Sequence, residues 1–385
     1  MRVVREDPAH QGLLYAGTEA GMFVSWNDGA DWQSLQLNLP PVPITDLALR
    51  HDKLVAATQG RAFWILDDLF VVRQAATGAD DLKLFEPGTV TMTSRVGWGA
   101  GDFEGSNPER GVPLYYALEE ERDEPLTIEI LDSSGALVRR YSSEETDFER
   151  CRLANMDMRR PFEIEYPAKD KGLNKWAWDF RREGVHCIED VKIFAGFGGA
   201  TVLPGDYRAR VSQGDLSAEA SFTIVADPRL TATPEQLQEW SARLDETATL
   251  LDEILRRLGE ARKAGGQVEA LLMDYPDDAE LQQAGQAAVD AITAWDHLLN
   301  QPLHETYEDE DAWETMLAGQ VRYLLDVIDS TGAPITGGQL ERLADLQAEW
   351  QQRRGELQAI TDQHLAPLNN WARDRGVEHV AVPNN

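Results

Sequence analysis

The sequence predicts a multidomain chain that is β first and α afterwards, and three observations carry that prediction. Short apolar runs recur between Gly, Asn, Asp and Pro signals over residues 1–70, as in all-β repeats. Alternating runs return over residues 113–228, where about six or seven short strands suit an immunoglobulin-like β-sandwich. After Asp227-Pro228-Arg229 the apolar period changes to that of helices, and residues 229–385 read as an antiparallel helical bundle. Residues 71–112 form a glycine-rich transition between the two β regions.

In the first region the expected strands are Arg2–Glu6, Leu13–Gly17, Met22–Ser25, Trp32–Leu37, Ile44–Leu49, Lys53–Thr58 and Ala62–Leu66. Between the third and fourth lies Ser25-Trp26-Asn27-Asp28-Gly29-Ala30-Asp31-Trp32. Asn, Asp and Gly tolerate positive φ, Ser25 and Asn27 can accept from nearby N–H groups, and Trp32 can lie across the corner as an apolar plug. An ordinary hairpin explains these residues. Their order, Ser-x-Asn-x-Gly-x-Asp-Trp, also resembles the Asp-box, the corner repeated in the blades of sialidase-type and sortilin-type β-propellers. The Asp-box family usually has Asp where this chain has Asn27.

The resemblance extends beyond the corner. Val3-Val4-Arg5-Glu6-Asp7-Pro8, Leu14-Tyr15-Ala16-Gly17-Thr18-Glu19, Leu37-Asn38-Leu39-Pro40 and Ala57-Thr58-Gln59-Gly60-Arg61-Ala62-Phe63-Trp64-Ile65-Leu66-Asp67-Asp68 resemble the end of the propeller in large bacterial proteins labelled "glycosyl hydrolase, BNR repeat". Gly172-Leu173-Asn174 with Trp178-Asp179, Pro204-Gly205-Asp206-Tyr207 and Leu368-Asn369-Asn370 resemble the sandwich and helical tail of the same proteins. The resemblance implies that residues 1–70 are partial β-propeller blades, with Ser25, Asn27, Gly29 and Trp32 as a structural corner and not a catalytic one. A blade takes about 40–45 residues and a closed propeller needs at least four, so residues 1–70 supply about one and a half. Upstream blades or another chain are therefore implied as partners. By analogy with sortilin-type propellers the expected function is non-catalytic binding of a protein or peptide ligand, with a sialidase-like glycoside hydrolase fragment as the alternative.

The 71–112 transition holds one short strand at Leu84–Pro87 and then a loop through Gly97-Trp98-Gly99 and Gly105-Ser106-Asn107-Pro108, ahead of the second β region. A strand and not a helix follows that loop, so a phosphate cradle is not expected. Leu126–Asp132 and Leu137–Tyr141 form a hairpin; Gly172–Arg181, Leu203–Val211 and Ala220–Val225 follow as strands. Glu144–Pro167 and Glu183–Thr201 read as inserted loops. In the helical region Thr233-Pro234-Glu235-Gln236 is a helix start, with Thr as N-cap, Pro at the first position and Gln at N3. The first helix carries Leu237, Leu244, Leu251 and Leu258 and is expected to end at Gly265-Gly266. Later helices are expected over Asp278–Asn300, Asp311–Asp329 (using Trp313) and from Gly338 towards Ala366.

Composition narrows the function further. The formal net charge of −31 argues against nucleic acid, which demands clustered Lys and Arg, and against anionic membrane surfaces. No run of eighteen apolar residues is present, so membrane insertion is not expected. The first seven residues hold no apolar stretch of the signal-peptide kind, although the resemblance suggests export to the periplasm or beyond. Cys151 and Cys187 are the two cysteines; they can pair in an exported protein or remain thiols.

No catalytic, cofactor-binding or metal-binding residue is assigned. The early arginines Arg5, Arg50 and Arg61 are too few for a sialidase cluster and fit surface roles, and Asp67-Asp68 fits a strand-end turn better than a carboxylate rim. His304–Asp311 is dense in acid but lacks the order of a calcium loop, and His186-Cys187-x-Glu189-Asp190 has no second ligand pair at metal spacing. Gly196-x-Gly198-Gly199 opens no helix and fails the dinucleotide test. Trp98, Trp176 and Trp178 can in principle stack on a sugar or peptide, with Trp178 better placed as core.

Overall fold

The computed structural model describes residues 1–75, 80–93, 108–156, 162–191, 193 and 196–377. It divides into two compact units, and the chain alternates between them. The first comprises Met1–Glu144, Tyr166–Phe180 and Pro204–Pro228; the second comprises Glu145–Glu165, Arg181–Leu203 and Arg229–Asn385.

The first unit opens with two small antiparallel sheets. Strands β1 (Val3–Glu6), β2 (Leu14–Gly17), β3 (Met22–Ser25) and β4 (Gln33–Ser34) lie in that order, and β5 (Ile44–Arg50), β6 (Lys53–Thr58) and β7 (Phe63–Leu66) form the other sheet. Their inward residues, among them Leu13, Tyr15, Val24, Ile44, Leu54 and Leu69, make one apolar core. Gly17 is required there: a Cβ would stand 2.7 Å from both Ile44 and Val3. The expected strand Trp32–Leu37 shrinks to β4 because the Gln36 side chain takes over the pairing. Its Oε1 accepts from Met22 N at 3.1 Å and its Nε2 donates to the Leu39 and Pro40 carbonyls, while Leu37 turns to a φ of +42°.

A short helix, α1 (Phe70–Ala75), is an addition to the expected elements. It presents Arg73 to the buried Asp7 at 2.9 Å and to Asp52, and Tyr15 donates to the same Asp7 at 3.1 Å. Beyond it two further sheets pack as layers. One has three strands, ordered β13 (Gly172–Trp178), β10 (Val112–Leu118) and β8 (Leu82–Leu84). The other has five: β12 (Leu137–Ser142), β11 (Leu126–Asp132), β14 (Gly205–Gln213), β15 (Leu216–Ala226) and β9 (Gly88–Met92). Trp178 of the first layer is fully buried and meets Tyr207 and Phe222 of the second, with ring centroids 5.4 and 6.0 Å apart. Strand β9, parallel to β15, is also absent from the sequence expectation, since Pro87 and Gly88 (φ +72°) read locally as an end and not as a new start.

The second unit is helical. Helix α2 (Asp147–Ala154) is held by a Thr146–Glu149 capping box; α3 (Pro234–Asp274) begins at the Thr233–Gln236 capping box that the sequence indicates; α4 (Ala279–Leu299) is capped by Asp278. Then come α5 (Leu317–Thr331), α6 (Gly337–Ile360), one π turn (Thr361–Leu365) and α7 (Ala366–Arg375). Three expected boundaries are corrected. Helix α3 continues through Gly265-Gly266, because Gly265 lies against Ile292 of α4 and Val268 and Leu271 beyond it are buried; this packing outweighs a glycine cost of about 1 kcal/mol each. The third helix starts at Leu317, not Asp311: Asp309 caps Thr306 and closes a separate 3₁₀ turn (Tyr307–Asp311), leaving Trp313 48% exposed. The last helix runs past Ala366 after a π turn just ahead of Pro367, which has no N–H to donate.

The two segments expected as loops of the sandwich belong to the helical unit instead. Val185, Val191, Phe197 and Ala200 join the core around Leu244, Leu251 and Leu258. Cys151 of α2 and Cys187 form a disulfide, and Asn155 braces it by donating to Ile188 O at 2.7 Å and accepting from Val191 N at 3.1 Å. Among the described residues no helix is long and apolar enough to cross a membrane.

Candidate binding surface

The Ser25–Trp32 corner satisfies itself. Ser25 is fully buried; its Oγ accepts from Gly29 N at 2.9 Å and donates to Asn27 Oδ1 at 3.0 Å. Asn27 Oδ1 accepts from Asp31 N at 2.8 Å, and Asn27 Nδ2 donates to Asp31 Oδ2 at 2.9 Å. Asp28 and Gly29 adopt positive φ of 59° and 85°, and the Trp32 indole lies so close to Gly29 that a Cβ there would meet it at 3.6 Å. Ser25, Asn27, Gly29 and Trp32 thus face one another, and the corner is a brace, with its polar side chains occupied.

Asp67 and Asp68 part company at the end of β7. Asp67 pairs with Lys53. Asp68, at a φ of +59°, accepts from the Tyr115 hydroxyl at 3.0 Å, and the Phe70 ring meets the Tyr115 ring edge-on at 5.8 Å. Lys175 sits over that Tyr115 ring at 5.5 Å and pairs with Glu109 at 3.1 Å. Burial pushes the Asp68 carboxyl above the usual carboxylate range, although Tyr115 and Lys175 pull it down. Burial, and then the Asp68 charge, push the Tyr115 phenol up, so it is held as a proton donor, the reverse of an activated nucleophile. Arg5 pairs with Asp46 at 2.6 Å and Arg50 donates to its neighbour's carbonyl; among the described residues no shared carboxylate joins them to Arg61.

The remaining sequence candidates are also accounted for locally. Cys187 is in the disulfide, burial and then the Arg256 charge push the His186 imidazole below its usual range, and among the described residues no three His, Cys, Asp or Glu side chains form a metal group. The 196–199 loop offers carbonyls where a phosphate needs N–H groups: Gly198 O accepts from Arg322 at 2.8 Å and Gly199 O from Arg181 at 2.7 Å. A Cβ at Gly199 would stand 2.2 Å from Glu183 O, so the glycine serves close packing. In the acidic run Asp309 is spent on the Glu305 and Thr306 N–H groups at 2.9 and 2.8 Å. Trp176 packs edge-on against Tyr141 at 5.0 Å, and Trp178 is core. Trp98 and the Gly105–Asn107 stretch lie outside the described residues.

What stands open is one face of the β5–β7 sheet. The register aligns Leu47, Ala56 and Trp64 in one row, and Ala48, Val55 and Ile65 in the next. Leu47, Leu54 and Ala56 point into the core; Ala48, Val55, Ala57, Phe63 and Ile65 form an apolar strip on the other side, flanked there by Asp46 at one end and by Arg50 and Lys53 at the other. Phe63 is 75% exposed and Ile65 59%; the small cleft at this strand, about 50 Å³, lies on the other, core-facing side, between Trp64, Leu66 and the Leu35–Leu39 segment. Strand β7 is the outer strand, and among the described residues it pairs only with β6. Sequence reasoning missed this face, yet a signal exists. Phe63-Trp64-Ile65-Leu66 is apolar at every position, as in a strand covered on both sides. No protein-family model matches the chain, and no curated protein matches it.

Proposed function

We propose that this chain is a non-catalytic binding or scaffold module whose open β5–β7 face receives a protein or peptide ligand. The observation that carries the reading is the apolar face itself, with Phe63 and Ile65 exposed on an outer strand, since contiguous apolar surface of this kind marks interaction sites. The self-bonded Ser25–Trp32 corner and the two small antiparallel sheets support reading β1–β4 and β5–β7 as partial blades of an Asp-box propeller, similar to the C-terminal part of sortilin-like proteins. The two-layer β region with Trp178 at its centre supports an immunoglobulin-like sandwich beside them. In such a propeller the next blade or another chain covers a blade's free face. The test is capture of peptides from an array by the full chain. Phe63→Ser with Ile65→Ser abolishes capture at unchanged Tm, and capture that survives the double variant sinks the reading.

The rival is a sialidase-like glycoside hydrolase fragment, and the one group that leans that way is Asp68, whose carboxyl burial pushes above the usual carboxylate range, the direction a general acid needs. Release of reducing sugar by the chain, lost in Asp68→Asn, would establish that reading and displace the first.

A further inference from the structure

We infer that β7 is a self-complementary edge through which two copies of this chain pair antiparallel, as a two-fold symmetric dimer. The inference rests on the binding-face reading above and names its occupant. An outer strand offers a row of backbone donors and acceptors to any second strand, and soluble proteins usually guard such edges with Lys, Pro or a bulge. Phe63-Trp64-Ile65-Leu66 carries none of these. Its charges stand instead at its two ends, opposite in sign. Arg61 precedes the strand, exposed, with no ion-pair partner among the described residues; Asp67 follows it directly and, among the described residues, pairs with Lys53 alone.

That arrangement fits its own copy. In an antiparallel pairing centred on Trp64, Phe63 of each copy faces Ile65 of the other, so the exposed apolar pair of one chain covers that of its mate. Just beyond the paired strands, where the backbone turns at Ala62 (φ +56°), Arg61 of each copy comes to the same end of the pairing as Asp67 of the other, and two-fold symmetry makes the charge pair twice. The outward apolar face then continues across both chains, two β5–β7 sheets becoming one of six strands. Pairing in parallel would place like ends together, Arg61 against Arg61 and Asp67 against Asp67. The net charge of −31 on each copy opposes association, so the contact is measured near 0.15 M salt, where the Debye length is about 8 Å.

The test is sedimentation equilibrium of the full chain between about 1 and 200 µM. A mass rising from one chain to two is expected, and Phe63→Asp, at an exposed position, keeps its Tm and stays a monomer throughout. Arg61→Asp places like charges at both symmetric contacts and weakens the dimer by about tenfold or more, as does Asp67→Arg. An equimolar mixture of those two variants restores the pair. One variant then carries acid at both ends of the strand and the other carries base at both, so each contact again joins opposite charges. A synthetic peptide covering residues 60–68 competes for the edge and dissociates the dimer. If Asp67→Arg lowers the Tm through Lys53, the Phe63→Asp and peptide arms decide. A chain that is monomeric at 200 µM, or a dimer that survives Phe63→Asp, overturns self-pairing. If that monomer still captures array peptides through Phe63 and Ile65, the binding face stands without the dimer; if it captures none, both fall.

Discussion

Two outward-facing sheet surfaces in the first unit differ sharply. On the five-stranded sheet a ladder of charges crosses four strands: Arg140 bonds Glu129 at 2.6 Å, Arg210 reaches Glu129 at 3.3 Å and Glu219 at 2.6 Å, and Arg208 stands 3.6 Å from Glu219. On the β5–β7 sheet the centre of the equivalent surface is an apolar strip of Ala48, Val55, Ala57, Phe63 and Ile65, with charges only at its ends, Asp46 at one and Arg50 and Lys53 at the other. Inward, the two sheets are alike, with Ile128, Ile130, Val211 and Phe222 in one and Leu47, Leu54 and Ala56 in the other. Period-two alternation therefore defines the core side of each sheet. The identity of the outward residues distinguishes a face built for water from one built for a partner.

The inward likeness is tested by the largest effect. Leu54→Ala in β6 and Ile128→Ala in β11 each remove a fully buried aliphatic side chain and each cost about 2–5 kcal/mol. Urea unfolding followed by tryptophan fluorescence measures both. A cost under about 1 kcal/mol for Leu54→Ala alone would mean that the small sheet lacks a core of its own, and the comparison would break there.

The ladder gives a smaller effect with a pH signature. Its Arg140 bond, then Arg210, holds the Glu129 carboxyl below the usual range against the opposing effect of burial. A folded value below the unfolded one means that the ionised group stabilises the fold fully above about pH 4.3, its unfolded value, and progressively less as pH falls through the folded value. Glu129→Gln therefore costs about 1 kcal/mol at pH 7, and the deficit shrinks as the medium becomes acid. Urea midpoints at pH 7 and pH 3 read this, with added salt narrowing the gap at pH 7. An equal deficit at both pH values would make the ladder a matter of packing and not of charge.

Legibility in the sequence followed locality. Six of the seven strands expected in residues 1–70, the Ser25–Trp32 turn and the Thr233–Gln236 helix start depend on neighbours in the chain and form within a residue of where the local pattern places them; the exception is Trp32–Leu37, cut short by Gln36. The misses depend on distant residues. Gly265 ends no helix because Ile292 packs on it; β9 exists because β15 receives it; α1 is drawn in by Asp7 and Asp52 through Arg73. The segments around Cys151 and Cys187 read as polar loops because their apolar partners, on α3, lie far away in sequence. For the candidate site, the Ser25–Trp32 corner is conspicuous through its turn chemistry, which serves only the turn. The open face was written just as plainly in the unbroken apolar run 63–66, whose second side has no partner among the described residues.

The smallest effect separates the two surfaces most cleanly. Phe63→Ser removes a large aromatic ring, and by composition alone it resembles a core lesion. The ring is 75% exposed, however, so in a dilute sample near 1 µM the change in stability stays within about 0.5 kcal/mol. A cost close to that of Leu54→Ala under those conditions would place the ring under cover within a single chain and remove the basis for a binding face. At about 200 µM a covered face adds the free energy of its contact to the wild type alone, so the difference in Tm between the two proteins widens with concentration. No such widening is expected for Glu129→Gln, whose ladder partners Arg140 and Arg210 lie in the same chain.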